Sequence, residues 1–193
     1  FKKDLSFIDV KHASYPYVFS DNNRLYMIPE TKSLGVQNIY IYDEKSEDFI
    51  FYHNVFKNNK FSDPSIFLIN NLWWIFASYG GELHLWHSDK LNGKWIAHRK
   101  NPVKIDRENA RGGGVIFKVD NSIYRITQNI KKNYGYNINF NKITNISNES
   151  FSETKVKTLL PNKHWAFNKG FHHMSFSKNL FLIDAKKYKF RFL

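Results

Sequence analysis

The chain has 193 residues, of which 42% are hydrophobic and 18% aromatic, enough to build the packed core of one domain. No window approaches the roughly twenty consecutive apolar residues that a transmembrane helix needs, and the absence of cysteine excludes disulfides and thiolate metal sites. The net charge of +12 would suit nucleic acid, an anionic glycan or a phospholipid surface, but the lysines are scattered. We therefore interpret the charge as aiding solubility and predict no nucleic-acid site.

The first predicted element is a strand at Leu5–Val10, which has no hairpin partner of its own in the sequence. The chain opens at Phe1 without a recognisable signal peptide. We therefore expect a cytoplasmic protein, and a longer parent chain stays open as an alternative.

A repeated hairpin follows. Residues 63–78 contain two apolar strands joined at Asn70-Asn71, a turn signal between β-branched and aromatic runs. The pattern recurs at 15–30 and 113–128, with a shorter copy at 172–184. In the three full copies an aromatic residue follows a marker phenylalanine at the same distance, in the pairs Phe19 and Tyr26, Phe67 and Trp74, and Phe117 and Tyr124. The markers recur about every fifty residues, which is the spacing of β-propeller blades.

Each repeat predicts the antiparallel strands of one blade, and no helical period competes with them. The first blade is predicted at Tyr15–Phe19, Leu25–Pro29, Ile39–Tyr42 and Phe49–Phe56. The second is predicted at Ser65–Ile69, Trp73–Ser78, Glu82–His87 and Trp95–His98. The third is predicted at Val115–Val119, Tyr124–Asn129, Tyr136–Ile143 and Phe151–Val156. The fourth is predicted at Met174–Phe176, Leu180–Asp184 and Lys187–Phe192, one strand short.

The sequence therefore predicts a single all-β propeller domain over 1–193, with blades at about 14–58, 63–99, 111–157 and 171–193. A propeller avoids an open edge by completing its last blade with a strand from the other terminus, and Leu5–Val10 has the right length. Either this strand closes a four-bladed ring, or it is the last strand of a blade that precedes this chain.

Positions at which the repeats differ predict the functional site, because positions that only build the blade should be alike. Four residues before the markers, at the start of the innermost strands, lie Tyr15, Asp63, Gly113 and His172. Eleven residues after the markers lie Glu30, Ser78 and Gln128. Just before two innermost strands lie His12 and Arg111. We expect these residues to converge at one mouth of the channel.

Two of these residues are carboxylates, which fit acid–base chemistry on a glycosidic bond. Glu30 would be the acid and Asp63 the base or nucleophile, with Arg111 keeping Asp63 ionised. Each has a purely structural alternative: Asp63 as a strand-entry residue, Glu30 as a solvated strand end, and Arg111 as an ion-pair partner. The candidate ligand-binding residues are His12, Tyr15, Trp86, Gln128, Tyr134 and His172.

Several motifs follow one another in a fixed order from His12 onward. They include His12-Ala13-Ser14-Tyr15-Pro16, Tyr26-Met27-Ile28-Pro29-Glu30, Asp63-Pro64-Ser65-Ile66-Phe67, Leu83-His84-Leu85-Trp86-His87, Ala110-Arg111, Tyr134-Gly135 and Phe171-His172. In this order they resemble the N-terminal domain of plant glucosamine inositolphosphorylceramide transferases, over nearly the whole chain.

The resemblance implies a five-bladed propeller related to those of arabinanases and family 43 glycoside hydrolases, with four blades recognisable here. Family members carry a further blade before the His-x-Ser-Tyr-Pro motif, and nothing in this chain matches it. This departure favours a missing blade over the four-bladed ring, and it leaves the set of channel carboxylates incomplete.

Three functions fit these features. The first is a carbohydrate-recognition or carbohydrate-processing module of a glycan- or lipid-headgroup-modifying protein, with a sugar headgroup as partner. The second is a glycoside hydrolase that uses Glu30 and Asp63, although Arg111 and Gln128 stand where a third acid would be expected. The third is a protein-interaction propeller. The sequence predicts no metal site and does not indicate a cofactor.

Overall fold

The structure is a computed structural model that describes residues 12–57, 60–177 and 180–188. Within these residues it contains fifteen β-strands and a single 3₁₀ turn at Lys32–Leu34, which confirms the prediction of an all-β fold. In the part of the chain that is described, no helix has the length and apolar character needed to cross a membrane.

The chain separates into two compact units. The first contains residues 12–79 and 84–98, and the second contains residues 80–83 and 99–188. A single domain over 1–193 stays a prediction.

The first sheet is one complete four-stranded blade, with its strands in sequence order. Its strands are β1 (Ser14–Asp21), β2 (Arg24–Glu30), β3 (Val36–Asp43) and β4 (Asp48–Lys57). Every neighbouring pair is antiparallel, so the predicted strands of the first blade are confirmed.

The second sheet follows the same order but has a much shorter outer part. Its strands are β5 (Ser62–Ile69), β6 (Leu72–Tyr79), β7 (Glu82–Ser88) and β8 (Ile96–Ala97). A further two-residue strand, β9 (Lys104–Ile105), pairs with the start of β7. The predicted outer strand at Trp95–His98 is therefore reduced to two residues, and β9 was not predicted.

The third sheet contains the strands predicted for the third blade. They are β10 (Gly112–Val119), β11 (Ser122–Asn129), β12 (Asn137–Ile146) and β13 (Phe151–Leu159). The fourth repeat forms a hairpin of β14 (Met174–Ser177) and β15 (Leu180–Ile183). A single parallel pairing of Gly114 with Met174 joins this hairpin to β10.

Two predicted edge strands lie partly or wholly outside the described residues. The predicted strand Lys187–Phe192 does not begin at Lys187, because Lys187 and Tyr188 lie outside any strand. Just before them, the Lys186 backbone exchanges hydrogen bonds with the segment 169–170 instead of with β15. The rest of that strand, and the whole of Leu5–Val10, lie outside the described residues, so the closure of the propeller stays a prediction.

The hairpin turns explain why the repeats fold alike. Asn70 and Asn71 have φ of 51° and 61°, and Asn22 and Asn23 have φ of 47° and 59°. Two consecutive left-handed residues form the tight turn that matches the twist of antiparallel strands, and asparagine tolerates that conformation better than most residues. The resulting register places each marker opposite its aromatic partner, in the pairs Phe19–Tyr26, Phe67–Trp74 and Phe117–Tyr124.

The second strand of each full hairpin carries the core of its blade. Ile28, Ile75 and Ile126, on β2, β6 and β11, are completely buried. Trp74 is 1% exposed, as expected for a core position. In the second unit, Ile126 packs with Ile138, Phe171 and Met174.

Candidate functional site

The innermost strands share a bulge close to their start. The hairpin register shifts between Ser14 and Tyr17, between Ser62 and Ser65, and between Gly112 and Ile116. A bulge breaks the alternation of side chains and turns one of them to a new direction. The positions that the repeat pattern singled out, Tyr15, Asp63 and Gly113, fall within these three bulges.

Tyr15 and Asp63 adopt left-handed backbone conformations, with φ of 48° and 53°. This costs a residue other than glycine roughly 1–2 kcal/mol. Each also precedes a proline, Pro16 or Pro64, which further limits its backbone. Backbone strain of this kind is concentrated at ligand-binding and active sites, where the surrounding structure maintains it. The strain therefore marks the two predicted positions as candidates for function.

Glu30 joins these two residues in the first unit. Its Oε2 accepts a hydrogen bond from the backbone N–H of Asp63 at 2.9 Å, and the two residues are 7% and 5% exposed. The Tyr15 hydroxyl lies 3.0 Å from the hydroxyl of Ser65, two residues beyond Asp63. Three predicted site residues from β1, β2 and β5 thus lie together.

The second unit brings together three further predicted residues. The Arg111 guanidinium lies over the ring of Tyr134, 4.9 Å from its centroid. The imidazole of His172 also lies 4.9 Å from that ring, tilted by 58°. Tyr134 remains 50% exposed, so part of this aromatic surface is open to a ligand. That this group and the Glu30 group face one opening stays a prediction from the repeat register.

Asp184 belongs to the same group, and sequence reasoning missed it. Its Oδ1 accepts the backbone N–H groups of His172 and His173 at 3.0 and 2.7 Å, and its Oδ2 contacts Nδ1 of His172. Burial alone would raise the pKa of Asp184, but the hydrogen bonds from His172 and His173 outweigh it and lower that pKa below its ordinary value. Asp184 is therefore a carboxylate that stays ionised beside His172.

Gln128 is almost fully enclosed, at 1% exposure. Its Nε2 donates to the carbonyl of Gly112 at 3.0 Å, which fixes the amide. Its Oε1 is buried and has no hydrogen-bond partner among the described residues. Because buried acceptors are nearly always satisfied, this oxygen is suited to a ligand hydroxyl or a bound water.

Two predicted binding residues take other places. Trp86 is 8% exposed, with Phe56 stacked on it at 4.3 Å and Phe61 edge-on at 4.8 Å. This gives Trp86 a packing role, since little of its ring is open. His12 is exposed on the segment before β1, where its carbonyl accepts a hydrogen bond from Ser33. Binding roles for both stay predictions.

A buried ion pair supports the segment that leads to Arg111. Arg125 donates to Glu153 through Nε and Nη2 at 3.0 and 2.6 Å, and their side chains are 2% and 1% exposed. The same guanidinium donates to the carbonyls of Asn109 and Ala110. No signal in the sequence points to this pair, because the partners lie 28 residues apart on different strands.

The described residues contain no group of three or more His, Asp or Glu side chains placed to hold a metal ion.

Comparison with known proteins identifies the family. A family model described as glucosamine inositolphosphorylceramide transferase 1, N-terminal, matches residues 5–179. The chain belongs to this family. A family member from Arabidopsis thaliana, glucosamine inositolphosphorylceramide transferase 1, is 32% identical over 158 residues, which cover 75% of this chain and 20% of that protein. The chain thus spans about a fifth of the length of the curated relatives it matches.

Solved structures relate this family member to glycoside hydrolase folds. A xylan β-1,4-xylosidase from Bacillus halodurans C-125 matches with a TM-score of 0.54 and 13% identity, over 71% of this chain and 32% of that one. The NanB sialidase from Streptococcus pneumoniae, as its K499G mutant, matches with a TM-score of 0.53 and 12% identity, over 89% of this chain and 28% of that one. At these identities the likeness shows the fold alone, which is a β-propeller.

Proposed function

We propose that the chain is a carbohydrate-recognition propeller module of a glycan- or lipid-headgroup-modifying protein. The observation that carries the proposal is the strained pair Tyr15 and Asp63 with the Glu30 carboxylate held on the backbone of Asp63. The names of the family's transferases add the ligand class, since they specify an amino sugar and an inositol-phosphate lipid headgroup.

Glu30 is the central acceptor in this proposal. Anchoring Oε2 on the N–H of Asp63 orients the carboxylate before any ligand arrives, and a preorganised acceptor loses little entropy on binding. Hydrogen bonds to charged groups contribute about 1.5–3 kcal/mol, more than neutral ones. A sugar hydroxyl or a sugar ammonium group suits such an acceptor.

In the second unit, the exposed ring of Tyr134 offers an apolar surface for a sugar ring, Arg111 adds donors beside it, and His172 adds an imidazole. Gln128 adds its buried unpaired oxygen. Clefts that bind small ligands combine apolar surface with a few fixed polar groups in this way.

Isothermal titration with glucosamine, its N-acetyl form and inositol phosphate tests the proposal. We expect Glu30→Gln to weaken binding of the sugar that the wild-type protein binds by about 1–3 kcal/mol, or about 5- to 150-fold. The amide can still accept the N–H of Asp63, so the fold should persist. The exposed Glu44→Gln in the same unit is the matched control and should bind like wild type. Unchanged binding by a folded Glu30→Gln variant would contradict the role of Glu30.

Glycoside hydrolysis is the second candidate, favoured by the two buried acids that meet at the Asp63 backbone. Such enzymes place two carboxyl groups across one sugar, about 5–5.5 Å apart for retention of configuration or about 6.5–9.5 Å apart for inversion. An assay on aryl glycosides decides between the two functions. Turnover that both Glu30→Gln and Asp63→Asn abolish would establish an enzyme in place of a binding module.

A further inference from the structure

Three backbone segments meet around His172 in the second unit. Lys186 donates its N–H to the carbonyl of Gly170 at 2.9 Å and accepts the N–H of Lys169 at 3.0 Å. Its side-chain Nζ donates to Oδ1 of Asn133 at 2.9 Å and also to the carbonyl of Tyr134. The turn that carries Tyr134 is thus tied to the same segment that carries His172.

Two glycines make this close approach possible. A Cβ on Gly135 would lie 2.8 Å from the Cβ of His172, and one on Gly170 would lie 2.1 Å from the carbonyl oxygen of Gly135. Both glycines also have positive φ, of 61° and 140°. Any larger residue would push the Tyr134 turn away from His172, so the ring and the imidazole are held beside each other by the backbone itself.

Asp184 then decides which imidazole nitrogen carries the proton. Its Oδ1 already accepts two backbone N–H groups, and its Oδ2 faces Nδ1 of His172. An ionised carboxylate can only accept, so Nδ1 must be the protonated nitrogen. In the described part of the chain Asp184 is the one hydrogen-bond partner of this imidazole, whose side chain is 37% exposed. Nε2 is therefore left as an acceptor beside the exposed ring of Tyr134.

We propose that Asp184 is a positioning residue that fixes His172 as its Nδ1–H tautomer, so that Nε2 accepts a hydrogen bond from a hydroxyl of a sugar stacked on Tyr134. The proposal rests on the proposed carbohydrate function for its ligand. Orientation of an imidazole by a carboxylate on its other nitrogen is the device that fixes the tautomer of catalytic histidines.

The test is Asp184→Asn, because the amide replaces only one of the two oxygens. The asparagine Oδ1 can still accept both backbone N–H groups, while its amide N–H now donates to Nδ1 of His172. We expect the imidazole proton to move to Nε2, which then can no longer accept. Proton–nitrogen correlation spectra of the ring nitrogens report the tautomer at about pH 8, and titration with glucosamine or the sugar found to bind reports the affinity.

We expect an Nδ1–H tautomer in the wild type, an Nε2–H tautomer in Asp184→Asn, and binding weakened about 2- to 10-fold. The exposed turn variant Asp120→Asn makes the same charge change in the same unit and should alter neither measurement. If Asp184 has only a structural role, Asp184→Asn will leave either the tautomer of His172 or the affinity for the sugar unchanged. Either result overturns the proposal. If no sugar binds the wild type, the proposed function fails, while the tautomer still decides the role of Asp184.

Discussion

Glu153 is a buried carboxylate that forms ion pairs with Arg125 and Lys104. The Nζ of Lys104 lies 2.9 Å from Oε1 of Glu153. Removing one partner of a buried pair leaves the other charge without compensation, which costs about 3–5 kcal/mol. We therefore expect Glu153→Gln to lower the free energy of unfolding by about that amount in urea titrations.

The exposed pair of Arg99 and Glu149 provides the control for Glu153. The distance between its charged nitrogen and oxygen, 2.6 Å, equals that between Arg125 and Glu153, but its side chains are 76% and 61% exposed. Exposed pairs contribute about 1 kcal/mol or less, so Glu149→Gln should have a small effect. Equal effects of the two substitutions would show that the buried charge of Arg125 is compensated in another way.

His87 links the stability of the first unit to pH. Burial lowers the pKa of His87 below its ordinary 6.5, and the neighbouring His98 lowers it further. Below about pH 6.5 the unfolded chain therefore binds a proton that the folded chain resists, so stability is full above that pH and falls as the pH drops toward the folded pKa. We expect a smaller free energy of unfolding at about pH 5.5 than at about pH 7.5.

His87→Gln should reduce this pH dependence without abolishing it, because burial also lowers the pKa of His173 in the second unit. The exposed His164→Gln variant is the control and should keep the wild-type dependence. Stability that is the same at both pH values in the wild type would contradict the assignment.

At the residue scale, the repeat register could locate Tyr15 and Asp63, because they occupy one repeat position at which the blades differ in residue type. Their left-handed backbone could not be predicted, since both precede proline and neither is glycine or asparagine. Asp184 was missed because its partner His172 is 12 residues away and no spacing rule connects them. Trp86 was predicted as a ligand-binding residue because composition does not tell a packed indole from an exposed one.

At the scale of elements, Gly114 is where two innermost strands meet. A Cβ there would lie 1.9 Å from the carbonyl oxygen of Met174, the residue paired with Gly114. We expect Gly114→Ala to separate β10 from β14 and to destabilise the protein well beyond the strain of its positive φ. Thermal unfolding measures the loss.

Gly80→Ala is the control without a clash, because Gly80 has a positive φ of 58° but a Cβ added there would have no neighbouring atom within 4 Å. Its cost should be only that of the left-handed conformation, roughly 1–2 kcal/mol. A Gly114→Ala variant no less stable than Gly80→Ala would mean that β14 can move away from β10 without loss.

The hairpins were predictable because their signals are local: an Asn-Asn or Asp-Asn turn between apolar runs sets the register. The two-residue strands β8 and β9 are too short to carry an alternating pattern. Their pairing depends on tertiary contacts of the connecting segment, which no local signal reports.

For the whole molecule, repeat spacing and ordered motifs were enough to predict the propeller and its family. They do not establish how the ring closes, because closure depends on Leu5–Val10 and on the end of the fourth blade, outside the described residues.

The single-domain prediction can be tested through β7, one continuous strand that contributes Glu82–Leu83 to the second unit and His84–Ser88 to the first. Because this strand contributes residues to both units, we predict one cooperative transition. Four of the five tryptophans, Trp73, Trp74, Trp86 and Trp95, belong to the first unit. In a Trp165→Phe background their fluorescence reports that unit alone, while far-ultraviolet circular dichroism reports all strands.

Coincident urea transitions by the two signals are the expected result for one domain. Glu153→Gln sharpens the test, because the substitution lies in the second unit while the fluorescence reports the first. If the units unfold together, the fluorescence midpoint must fall as far as the circular dichroism midpoint. A fluorescence transition that keeps its wild-type midpoint, while the circular dichroism curve splits in two, would show that the chain is two independently stable domains.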